Sequence, residues 1–105
     1  MPLADIPAAL LTVTSNVGHY EAFQKTDKYI VWAEDGEADS LNAEDRKQIQ
    51  ALQGTIDYFT KTEYDPNVEK IQEALNEAEI SWKLNSVQYE TETRYIHYEW
   101  LFEVM

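Results

Sequence analysis

The chain has 105 residues, 44% of them hydrophobic, and sets twenty acidic side chains against eight basic ones for a formal net charge of −12. That length accommodates one core, so a single domain over residues 1–105 is expected, with apolar surface enough to offset chain entropy. The charge repels phosphate backbones and anionic headgroups, which argues against direct DNA or membrane binding, while the lack of Cys excludes disulfides, thiolate zinc sites and a Cys nucleophile.

Leu3, Ile6, Leu10 and Val13 recur at helical spacing over residues 2–14, and Asp5 and Pro7 suit a first turn. Asn16 and Gly18 are expected to end this helix and lead through His19 and Tyr20 into a loop. Tyr29, Ile30, Val31 and Trp32 form a β-branched and aromatic run, read as a first strand closed by a turn at Glu34, Asp35 and Gly36. Residues 36–45 are acidic and weakly patterned, the expected mobile segment, either a loop or an edge hairpin kept soluble by charge. A second strand is expected around residues 48–60, with Leu52, Gly54, Ile56 and Tyr58 on one face.

Asp65 followed by Pro66 is a helix start, since the carboxylate can cap free N–H groups and Pro suits the first helical position. Val68, Ile71, Leu75 and Ala78 then give an otherwise acidic helix its apolar stripe. Ile80, Trp82 and Leu84 alternate with Ser81 and Lys83 as a third strand. In the last strand Ile96, Tyr98, Trp100, Phe102 and Val104 oppose His97, Glu99 and Glu103. The expected fold is α+β and two-layered: about four strands in a mainly antiparallel sheet, two helices on one face, order α-β-β-α-β-β. His-Tyr-Glu occurs at residues 19–21 and again at 97–99, but the flanks differ and the repeat is read as coincidence.

Signals for chemistry are weak. Glu34, Asp35, Gly36, Glu37, Ala38 and Asp39 lack the alternating ligands, central Gly and terminal Glu of a calcium loop and read as a solvated acidic segment. His19 and His97 each have a carboxylate two residues on, Glu21 and Glu99, which could share a strand face in a metal site; ordinary surface histidines beside acids are the plainer reading. No nucleophile elbow or Gly-rich phosphate loop occurs, and Trp32, Trp82 and Trp100 sit in apolar strand patterns as core residues. No catalytic, metal-binding or cofactor-binding residues are therefore assigned. The first residues lack a basic segment leading into a long apolar one, and no apolar run nears the roughly 20 residues of a membrane span, so a cytoplasmic protein is expected.

Tyr29-Ile30-Val31-Trp32, the acidic stretch after it, Ile56-Asp57-Tyr58-Phe59-Thr60, Asp65-Pro66 opening an acidic helix, and the closing Ile96-His97-Tyr98-Glu99-Trp100 together resemble the small tail-completion or tail-terminator proteins of long-tailed phages and prophages. The resemblance covers about residues 29–105 and describes a fold more than a chemistry. It implies a non-enzymatic, self-associating subunit, in a hexameric ring at the head-proximal end of the tail tube, that stops tube growth and meets head-connector proteins. The expected location is host cytoplasm during assembly and then the virion tail. DNA would only pass through the lumen, where acidic walls repel phosphates, and Glu34, Asp35, Glu37, Asp39, Glu44 and Asp45 are the candidate interface or lumen residues. The alternative from another class is an acidic DNA mimic that inhibits a nucleic-acid-binding enzyme. It needs an exposed double row of carboxylates, where an assembly subunit needs apolar patches at its edges.

Overall fold

A computed structural model describes residues 2–38 and 51–105. A 3-10 turn, Pro2–Ala4, leads into helix α1, Asp5–Leu10, which turns Ile6, Ala9 and Leu10 inward. The helix is shorter than its periodicity implies: the Thr12 hydroxyl donates to the Ala9 carbonyl at 2.6 Å, and the chain leaves through turns at residues 11–13.

Where a loop was expected, Val17–His19 form a short strand, β1, parallel to β2, Lys28–Glu37, with Val17 opposite Ile30 and His19 opposite Trp32. Asn16 fastens the connection between them. Its side-chain amide donates to the Gln24 and Lys28 carbonyls and the Thr26 hydroxyl at 2.9–3.2 Å, while its Oδ1 accepts the Gln24 N–H. The turn expected at Glu34, Asp35 and Gly36 is also strand, because β2 continues to Glu37 across a bulge between Glu34 and Gly36. Opposite the bulge, β3, Leu52–Thr60, carries Gly54. A Cβ there would lie 2.0 Å from the Ala33 carbonyl oxygen and 2.6 Å from the Glu34 Cα, so glycine is needed where the backbones close up.

Helix α2, Asn67–Glu77, follows, and the hairpin β4, Ser81–Glu90, and β5, Tyr95–Val104, completes the chain. The strand order is β1-β2-β3-β5-β4, parallel only between β1 and β2. The architecture is thus α+β with a mixed five-stranded sheet; the expectation of four strands in the order α-β-β-α-β-β is corrected by β1. Both described helices pack on one sheet face, where Ile6 and Leu10 of α1 and Ile71 and Leu75 of α2 join Ile30, Trp32, Ile56, Tyr58, Trp100 and Phe102.

Leu75 is fully buried, so Leu75→Ala is expected to lower unfolding free energy by about 2–5 kcal/mol in urea titrations with an unchanged denaturant slope. Gly54→Ala should lose roughly 1–3 kcal/mol by forcing β2 and β3 apart.

Candidate interaction surface

Strand register arranges the helix-facing side in cross-sheet rows. One runs Ile30, Tyr58, Tyr98, Val87; the next Trp32, Ile56, Trp100, Leu84; a third Lys28, Thr60, Ile96, Tyr89. Each row is buried in β3 and ends exposed on β4, where Leu84 is 39%, Val87 51% and Tyr89 60% exposed. The helices shield the near end of the hairpin, where the Trp82 indole N–H donates to Asn76 at 2.8 Å and the Trp100 indole N–H to Gln72 at 3.1 Å. Beyond them an apolar strip continues without cover among the described residues.

The two sheet edges differ. β1 has three residues, and the chain after it folds back so closely that a Cβ on Gly18 would lie 2.1 Å from the Glu21 carbonyl oxygen. β4 has ten residues and, among the described residues, no strand on its outer side. The open edge capable of adding a strand is therefore β4.

The candidate residues at the far end of β2 are only partly gathered. Glu34 lies beside β1: its Oε1 is 2.7 Å from His19 Nε2, and its Oε2 accepts the Tyr20 hydroxyl at 2.5 Å. The Tyr20 and His19 bonds hold this carboxyl down at about 2. Asp35 sits in the bulge and lines a cleft of about 320 Å³ with Gln53, Lys83, Leu101 and Glu103. Glu37 ends β2 opposite Leu52, whereas Asp39, Glu44 and Asp45, with most of the segment expected to be mobile, lie outside the described residues.

The histidines take partners across strands instead of two residues on. His19 stacks on Trp32, with ring centroids 3.8 Å apart, and pairs with Glu34. On the opposite face, His97 stacks on Phe59 and its Nε2 is 2.7 Å from Asp57, with Glu90 3.6 Å from its Nδ1. Burial pushes the Asp57 carboxyl up despite this bond. The two rings thus do not share a site, and among the described residues no group of three His, Cys, Asp or Glu side chains is placed to hold a metal ion. Trp32 and Trp100 are core, as expected, and Trp82 is half-buried at the α2 end of β4.

Asp65 was expected only as a helix cap, and its Oδ1 does accept the Asn67 N–H at 2.9 Å. It is also the polar centre of the β3–α2 corner. Its Oδ2 accepts the Tyr58 and Thr60 hydroxyls at 2.6 and 2.7 Å and lies 3.4 Å from the Lys28 ammonium. Burial pushes this carboxyl up, but the two hydroxyls, the amide and Lys28 outweigh it and leave it lowered; burial and Asp65 together push the Tyr58 phenol up. A lowered folded pKa adds stability that is complete above the ordinary value of 3.8 and is lost as pH falls below it. Asp65→Asn is expected to cost about 1–3 kcal/mol at neutral pH and to flatten that acid limb, as measured by chemical denaturation from pH 7 to 3.

No family model matches the chain, and no curated protein matches it.

Proposed function

We propose that this chain is a non-enzymatic structural subunit that works by assembling with copies of itself and with neighbouring proteins, in a ring at the phage or prophage head–tail junction. The observation that carries the assembly reading is the strip Leu84, Val87 and Tyr89, three large apolar side chains aligned on one face of a long edge strand and left in water by the helices. Contiguous exposed apolar surface of this kind is what a subunit buries on assembly. A DNA mimic binds through carboxylates and has no use for it, so the strip favours assembly over inhibition.

Two further features fit a junction ring. The net charge of −12 suits a lumen through which DNA must slide without sticking, and Glu34, Asp35 and Glu37 cluster at one end of β2. The rest of the assignment, a tail-terminating subunit that meets tail-tube and connector proteins, rests on the resemblance in strand and helix order.

The test is sedimentation and negative-stain microscopy of the purified chain, alone and with isolated tail tubes. Closed rings seated on tube ends are expected, and Val87→Asp, at the middle of the strip, should reduce them at least tenfold at equal protein concentration. A chain that stays monomeric at every concentration and leaves the tubes bare contradicts the reading.

A further inference from the structure

The outer edge of β4 is complementary to itself. We infer that a second copy of this chain pairs with it, antiparallel about a two-fold axis through Val87, so that two five-stranded sheets become one continuous sheet of ten. The inference rests on the assembly reading above and names one of its contacts.

The argument turns on the bulge. Leu84 pairs with Trp100 and Ser86 with Glu99, so Asn85 is an extra residue in β4. In an unbroken strand Leu84 and Tyr89, five residues apart, would face opposite sides of the sheet. The extra residue puts both on the helix-facing side with Val87, and by the same step puts Lys83, Ser86, Gln88 and Glu90 together on the other side. With Val87 on the axis, Ser86 meets Gln88 of the second copy, Leu84 meets Tyr89, and Lys83 meets Glu90, the Asn85 bulge lying symmetrically in both strands. Every facing pair shares a face, as antiparallel pairing demands.

Charge selects this register. Lys83 is the one cation of β4 and Glu90 its one anion, and the dyad opposes them twice. Lys83 makes no ion pair among the described residues, while Glu90 is steadied at the hairpin end by the Thr93 hydroxyl at 3.0 Å and by His97. Moving the axis to Ser86 or Gln88 separates Lys83 from Glu90. Such a dyad, alternating with a second two-fold contact elsewhere on the surface, closes a ring of dihedral symmetry and leaves no open sheet edge at β4.

The chain contains no Cys, which makes the axis directly testable. In the full chain, Val87→Cys places two thiols together at the dyad and is expected to form a disulfide-linked dimer under mild oxidation at least tenfold faster than Leu11→Cys, an exposed position on the helical layer. Lys83→Glu should weaken self-association roughly tenfold by sedimentation, and Lys83→Glu combined with Glu90→Lys should restore it, a rescue that general loss of folding cannot produce. If the wild-type chain associates but Val87→Cys cross-links no faster than Leu11→Cys, or the double swap fails to rescue, the dyad is wrong and the assembly reading stands. If the wild-type chain is monomeric throughout and neither thiol cross-links, both fall.

Discussion

Helix length is the constraint on which the surface of this molecule depends. At 1.5 Å per residue, α1 with six residues and α2 with eleven are roughly 9 and 17 Å long. The ten-residue strands β4 and β5 each run roughly 33 Å. The two described helices are too short to roof such a hairpin, and the core is deep over β2, β3 and the Trp100 to Phe102 part of β5 and thins along the rows toward Leu84, Val87 and Tyr89.

The polar interior is arranged so that this thin core suffices. Asp65 and Thr60 are the buried polar residues among those described, and they bond each other; Tyr58 and Asn67 close the network, and no buried side-chain polar atom of the described residues lacks a partner. A carboxylate held by two hydroxyls, an amide and an ammonium locks the end of β3 to the start of α2, which is where the helical layer must be anchored if it covers only part of the sheet. The hairpin is thereby left to overhang, and the chain's apolar surplus is displayed on an edge strand instead of being withdrawn into the core.

How far the sequence foretold this varies by element, for physical reasons. The last strand was legible because Ile96, Tyr98, Trp100, Phe102 and Val104 keep a strict period of two, and α2 because Asp65, Pro66 and the stripe through Ile71 and Leu75 are local signals. β1 was missed: three residues, one of them glycine, carry no propensity, and they are held by parallel pairing with residues 30–32. β2 ran past its expected end because the acids Glu34, Asp35 and Glu37 are poor strand formers kept in place by β3. The alternation that marks β4 extends only to Leu84, since the Asn85 bulge breaks it at the point where the exposed strip begins. Of the candidate interface, Glu34 proved to be bonded to His19 and Tyr20, a contact between β2 and the β1 region that spacing along the chain does not reveal. Leu84, Val87 and Tyr89 were visible as residues, but whether helices covered them depended on where α2 ended.

The central claim is that the uncovered edge and strip of β4 form an interface. Amide hydrogen exchange along Ser81–Glu90, followed from dilute to concentrated protein, tests it most directly. The account predicts that amides pointing outward from β4 gain protection as concentration rises while those of the buried strand β3 do not change. Outward β4 amides that exchange freely at every concentration would contradict it.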